Sequence, residues 1–299
     1  HLITSPLEHH AAINVFKVLE KQGFETTYLP VNRYGEVDLE ELRYSIRPDT
    51  ILISIMLANN EIGTIEPIAE IAKLANEKNI ALHTDAVQAI GKIPVKAKKL
   101  GADLLSLTGH KLYGPKGTGV LFKRKDVALV PLFEGGYQEN LMRPGAESLP
   151  GIVGLAKALE LAAGNLDQDA AHLKKLRNKL EEGVLNKLDH VYVNGHPEKR
   201  VPNISSISFA YIEGESLLLS LDTQGIAVST ASACSAGSTE PSHVLNAIGL
   251  DPLLSQGTLR FSLGWDNNEA EIDYTIDTLV STVKRLREIS PIKKVDGRS

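Results

Sequence analysis

The sequence predicts an α/β protein, a mostly parallel sheet flanked by helices with a smaller α+β domain after it. Three observations carry this prediction. Between residue 10 and about residue 125, helical and strand periods alternate, which implies right-handed crossovers between parallel strands. One strand, TILISIML at 50–57, is almost continuously apolar, as a strand covered on both faces is. A Gly/Pro-rich stretch, EGGYQENLMRPGAESLPG at 134–151, then ends this texture, and the remainder mixes helices with shorter strands. We therefore expect a large domain over 1–155 and a small C-terminal domain over 156–299.

Taken in order, HLITSP reads as the interior of a strand, AAINVFKVLEKQG as an amphipathic helix closed by Gly23, and FETTYLP as the next strand. DLEELRYSI is a short helix before the apolar strand. EPIAEIAKLANEKN places Pro67 near its first turn and Ile68, Ile71, Leu74 and Ala75 on one face. IALHTD, DLLSLT and GTGVLFKR supply three further strands. Two helices are expected between about 149 and 189. After them the strands VYVNG, ISSISFA and TLRFSLG alternate with the helices GESLLLSLDTQ, PSHVLNAIG and NEAEIDYTIDTLVSTVKRLREI.

Composition narrows the function classes. With 42% apolar and 23% charged residues, the 299-residue chain is of the ordinary globular type. A formal net charge of −5 without a Lys/Arg block argues against direct binding to nucleic acid or to an anionic membrane. No apolar run reaches the roughly 18 residues of a spanning helix. The single cysteine excludes an intramolecular disulfide and a CxxC metal site, so no metal is expected and a reducing, cytoplasmic setting is. Because the chain opens inside a strand, a preceding N-terminal segment is expected.

Ligands of open parallel sheets bind beyond the carboxyl ends of the strands, so polar residues there are the candidates. MLANNEIG delivers Asn59, Asn60 and Glu61; HTDAVQ delivers Asp85 and Gln88; SLTGHKLYGPKGTG delivers Thr108, His110 and Lys111. Singly, Asp85 reads as a helix cap, the Asn pair as a turn, and Lys111 as a solvated loop residue. Together, an Asp at one strand end and a Lys at the next suit a pyridoxal phosphate (PLP) site. There the amine forms a Schiff base and the carboxylate keeps the pyridine nitrogen protonated. A nucleotide P-loop is excluded, because Gly114 is followed by Pro115 and not by Lys. The lone cysteine, Cys234, sits in STASACSAGS among small polar residues, the setting of a reactive thiol more than of a core one.

In their order, TSPLEHH, NNEIG, HTDAVQ, SLTGHKLYGPKGTG, ASACSAGSTEPSHVL and LRFSLG resemble the NifS/IscS-type cysteine desulfurases of the class V aminotransferase-like PLP enzymes. The resemblance runs from His1 to about Ile289. It implies a PLP-dependent transferase fold of the aspartate aminotransferase type. It also implies a reaction in which L-cysteine becomes L-alanine while Cys234 takes the sulfur as a persulfide. Lys111 is then the Schiff-base lysine, Asp85 the pyridinium partner, and Gln88 and Asn60 the partners of the ring oxygen. Asn60 also neighbours the substrate carboxylate, and Arg260 binds it. Thr108 and His110 donate to the phosphate. His9 stacks on the ring and relays protons, His10 is read as a surface residue, and His243 as structural.

The resemblance further implies a homodimer and a sulfur-acceptor protein, either an iron–sulfur scaffold or a tRNA-thiolation enzyme. Two departures stand against the family pattern. Its phosphate-binding threonine segment would lie before His1, and Ala146 in RPGAES occupies the place of a threonine that reaches the partner subunit's phosphate. Two other readings remain: a selenocysteine lyase or cysteine sulfinate desulfinase, and a catalytically idle truncated scaffold that binds a sulfur acceptor.

Overall fold

The structure is a computed structural model that describes residues 1–230 and 242–291. Its first layer is a six-stranded sheet. Strands β1 (Leu2–Thr4), β2 (Thr26–Tyr28), β3 (Leu52–Ser54), β4 (Ala81–Asp85), β5 (Leu104–Thr108) and β6 (Gly119–Lys123) lie in the order β2-β1-β3-β4-β5-β6. All neighbours pair in parallel except β6, which runs antiparallel to β5 at the edge. The crossovers contain helices α1 (His10–Lys21), α2 (Leu39–Ser45), α3 (Ile68–Glu77) and α4 (Ala97–Leu100).

Local chemistry explains these boundaries. Asp38 starts α2 by accepting from the amides of Glu40 and Glu41, two donors that the helix itself cannot satisfy. Helix α3 buries Ile68, Ile71, Leu74 and Ala75, the face expected from its spacing. The apolar run at 50–57 is assigned as only three residues of strand. It nevertheless continues alongside β4, the amides of Ile55 and Leu57 donating to the carbonyls of His83 and Asp85 at 3.1 and 2.8 Å. Ile3, Ile53, Ile55, Leu82 and Leu105 join the α3 face in one core. Each such side chain contributes roughly 1.5–3 kcal/mol by leaving water.

The second layer is an antiparallel sheet of β7 (Val191–Asn194), β8 (Ile204–Phe209), β9 (Ser229–Thr230) and β10 (Thr258–Ser262), ordered β7-β8-β10-β9. Around it lie α5 (Leu149–Leu185), α6 (Gly214–Asp222), α7 (His243–Ala247), α8 (Pro252–Gln256) and α9 (Glu269–Ile289). Leu176, Leu180 and Val184 of α5 meet Ile276, Leu279 and Val283 of α9 and Phe209 of β8.

One expectation is corrected here. The stretch from 149 is a single 37-residue helix and not two. Gly164 in its middle has nothing within 4 Å of a would-be Cβ, so no packing feature breaks the helix there, and a mid-helix glycine costs only about 1 kcal/mol. The N-terminal part of α5 packs Ala158 and Ala162 on Leu112 of the first layer, and its C-terminal part packs on the second sheet. Residue 155, the boundary expected from composition, falls inside this helix.

A third apolar cluster closes the seam between the layers. Leu7, Met56 and Ile62 of the first layer pack against Val244, Leu245 and Ile248 of the second.

Candidate active site

The parallel register brings the candidates together. Because Asp85 pairs with Ser106, the carboxyl ends of β4 and β5 lie side by side. Asp85 accepts from the Val87 amide at 2.8 Å through Oδ1, and Oδ2 has no partner among the described residues. Beyond β5 the chain makes a 3-10 turn, Gly109–Leu112, that carries His110 and Lys111. Glycine relieves crowding at 109, where a Cβ would lie 2.9 Å from Thr118 Oγ1 and 3.0 Å from the Pro115 carbonyl. Lys111 is exposed, and its amine has no hydrogen-bond or ion-pair partner among the described residues.

The two asparagines that follow β3 separate into different roles. Asn59 is wholly buried and structural: Nδ2 donates to the Leu7 carbonyl, while Oδ1 accepts from the amides of Glu61 and Ile62. Asn60 leaves its side-chain amide without a partner among the described residues, while its carbonyl accepts from Arg260 Nη1 at 3.0 Å. Arg260 is half-buried on β10, and its Nε is buried with no partner among the described residues. Gln88, half-buried after β4, likewise has a side chain without a partner there.

His9 caps α1, its Nδ1 accepting from the Ala11 amide at 3.1 Å. That bond fixes the neutral tautomer with its proton on Nε2. Burial lowers the pKa of the ring; the charge of Asp85 pulls it up, and His10 and Lys111 push it down. His10 is not the surface residue expected: it is half-buried, its ring 4.6 Å from that of His243. His243 donates through Nε2 to the Glu8 carbonyl at 2.9 Å, a structural bond.

Two buried glutamates line this region. Glu8 accepts from the Met56 amide at 2.7 Å, and burial holds its carboxyl well above the usual range. Glu61 accepts from the Ser242 hydroxyl at 2.5 Å; burial pushes its pKa up to about 7 against the lowering effects of Ser242 and Arg260. Neither role was legible as such, although an acid inside the apolar context of TSPLEHH was a signal. Cys234 lies outside the described residues. The residues flanking that segment are tied to the site, because Ser229 pairs with Arg260 and Ser242 bonds to Glu61.

The Aminotransferase class-V family model matches residues 1–275. This chain belongs to the class-V aminotransferase family. Among its relatives, the "Cysteine desulfurase IscS" of Methanosarcina thermophila is 52% identical over 299 residues, covering 100% of this chain and 74% of the relative. The protein of the same name from Dictyoglomus turgidum is 51% identical over 294 residues, 98% of this chain and 75% of the relative. A solved structure titled "NIFS-LIKE PROTEIN" superposes with a TM-score of 0.89 at 41% identity, over 95% of this chain and 75% of that one. The NifS-like protein of Rickettsia africae gives a TM-score of 0.86 at 29% identity, with the same coverage. The α/β architecture expected from the sequence is thus the fold of NifS-like proteins.

Class-V enzymes and their cysteine desulfurases use PLP. The class-V chain described here offers donors and acceptors suited to that group. Asp85 Oδ2, the Lys111 amine, the Asn60 and Gln88 amides and Arg260 Nε all lack protein partners among the described residues. Thr108 and His110 are engaged with each other. Thr108 donates to the Thr118 carbonyl at 3.1 Å, and because a hydroxyl has one proton, His110 donates through Nδ1 to Thr108 at 2.9 Å. Among the described residues, no cluster of three or more His, Cys, Asp or Glu could hold a metal ion.

Proposed function

We propose that this chain is a PLP-dependent cysteine desulfurase that converts L-cysteine to L-alanine and carries the sulfur as a persulfide on Cys234. The observation that carries the reading is that β4 ends on Asp85 beside β5, which leads into the Lys111 turn, with Arg260 bonded to Asn60. PLP, when bound, supplies the electron sink for a carbanion at the substrate Cα.

In this reading Lys111 would hold the cofactor and move the proton at the substrate Cα. Asp85 would hold the pyridine nitrogen, Gln88 and Asn60 the ring oxygen, and Thr108 and His110 the phosphate. Arg260 would bind the substrate α-carboxylate, its Nη1 anchored on Asn60 and its Nε without a partner among the described residues. His9 would cover the ring. With Nδ1 committed to Ala11, it meets the site as a donor through Nε2. The Cys234 thiolate attacks the substrate sulfur; the S–S bond forms as the C–S bond breaks, and the carbon left behind is protonated to alanine. A free thiol has a pKa near 8.5, so the step requires removal of the Cys234 proton, and His9 can take it only when its Nδ1 is released from Ala11.

The acceptor of the persulfide is a protein of iron–sulfur cluster assembly or tRNA thiolation, and the protein works as a cytoplasmic homodimer. Supporting the dimer, the segment after β6 exposes large apolar side chains: Val130 at 91%, Leu132 at 86% and Tyr137 at 86%. Such a contiguous apolar stretch marks an interaction surface. No helix among the described residues is long and apolar enough to cross a membrane.

The test uses purified protein with PLP. Wild type takes up the cofactor, with its absorbance, and makes alanine and sulfide from cysteine in the presence of a dithiol. Lys111→Ala loses the absorbance of bound PLP, and Cys234→Ala loses sulfide production. Full activity in Cys234→Ala would remove the persulfide from the reading.

A further inference from the structure

Tyr113, two residues beyond Lys111, has φ +61° and ψ 16°. This left-handed conformation is uncommon for a bulky side chain, and strained residues of this kind collect at functional sites. Three contacts hold it. Its ring stacks on Trp265 with centroids 4.0 Å apart and planes 10° from parallel. Its hydroxyl accepts from the Trp265 amide at 3.2 Å. Lys92 Nζ lies 5.3 Å from the ring centroid, within cation–π reach.

The surroundings are shaped to this arrangement. A Cβ on Gly264 would stand 2.8 Å from the Tyr113 hydroxyl, so glycine leaves the space that the ring fills. The turn carrying Trp265 is itself fastened: Asn267 accepts from the Gly264 amide at 2.8 Å, and its carbonyl bonds to His172 of α5 at 2.9 Å. Trp265 follows β10, the strand of Arg260. The stack therefore ties the lysine turn of the first layer to the arginine strand of the second.

We propose that Tyr113 and Trp265 are positioning residues that fix Lys111 relative to Arg260, so that amine and guanidinium meet one substrate at a constant separation. The proposal rests on the roles given to Lys111 and Arg260 above. Freed from Trp265, the strained Tyr113 turn relaxes and the lysine shifts against the arginine.

The experiment compares PLP-loaded wild type with Trp265→Ala, Trp265→Phe and Tyr113→Gly. Trp265 is the only tryptophan, so its fluorescence reports the stack directly. Tyr113→Gly removes the ring but keeps the left-handed turn accessible, and should change the emission of Trp265. In Trp265→Ala the pH midpoint of the bound-PLP absorbance should move, and KM for cysteine should rise about tenfold with a smaller change in kcat. Trp265→Phe should restore both. If Trp265→Ala lowers only the unfolding midpoint and leaves the pH midpoint and KM at wild-type values, the proposal is overturned. Should Trp265→Ala fail to fold, Tyr113→Gly carries the same two readouts. Retention of PLP absorbance in Lys111→Ala would overturn the site reading and the positioning role with it. The emission change in Tyr113→Gly would persist, so that failure is distinguishable.

Discussion

Replacing Glu66 by glutamine should flatten part of the pH dependence of stability. Glu66 is 3% exposed; one carboxyl oxygen accepts from the Val37 amide at 3.0 Å, and the other is buried without a partner among the described residues. Burial pushes its pKa up to about 8, the Val37 bond opposing and the charge of Glu36 assisting. Between an unfolded value near 4.3 and this folded value, the native state keeps a proton that the unfolded state releases. Stability is therefore greatest at low pH and falls as pH rises through about 8, after which it levels. At about 1.36 kcal/mol for each pKa unit, the loss between pH 5 and 9 is on the order of 4 kcal/mol. Glutamine keeps an acceptor for Val37 and never ionises. Urea unfolding of both proteins at intervals from pH 5 to 9 measures the difference, and the other acids, Glu8 and Glu61 included, are common to both. Parallel curves for wild type and Glu66→Gln would refute the reasoning.

Arg260→Lys keeps a charge but loses the planar fork, and should raise KM for cysteine by about ten- to a hundredfold with a lesser effect on kcat, read by steady-state kinetics. The lowered His9 pKa places protonation of its ring below 6.5, so the acid limb of kcat/KM that His9→Gln abolishes should lie beneath that pH. Gly195→Ala combines φ +89° with a Cβ 2.4 Å from the Ile62 carbonyl, and should cost more than about 2 kcal/mol or prevent folding, seen as a lowered Tm. Asn268 forms a reciprocal capping box with Glu271 at the start of α9; Asn268→Ala should cost about 1 kcal/mol by denaturant unfolding.

The strand-end positions were legible because the strands of a parallel sheet end along one edge by rule. Asp85, Lys111 and Asn60 could be found from where strands stop. The asparagines of NN were indistinguishable in the sequence, since burial of Asn59 beneath Leu7 depends on a segment some fifty residues away. The Tyr113–Trp265 stack gave no local sign: its members are 152 residues apart, and an aromatic residue with positive φ runs against propensity. The continuity of α5 was hidden because its apolar stripe changes partners along its length, from Leu112 to the second sheet. A stripe that serves two cores reads as two helices.

The seam between the layers has a consequence for the order of synthesis. Asn60 meets Arg260 across 200 residues, Glu61 meets Ser242 across 181, and Glu8 meets His243 across 235. At about 5–20 residues per second, Glu61 leaves the ribosome on the order of ten seconds or more before its partner. During that interval Leu7, Met56 and Ile62 wait without the Val244, Leu245 and Ile248 that cover them. A nascent chain halted short of residue 242 therefore displays the six strands of the first layer with an open apolar flank.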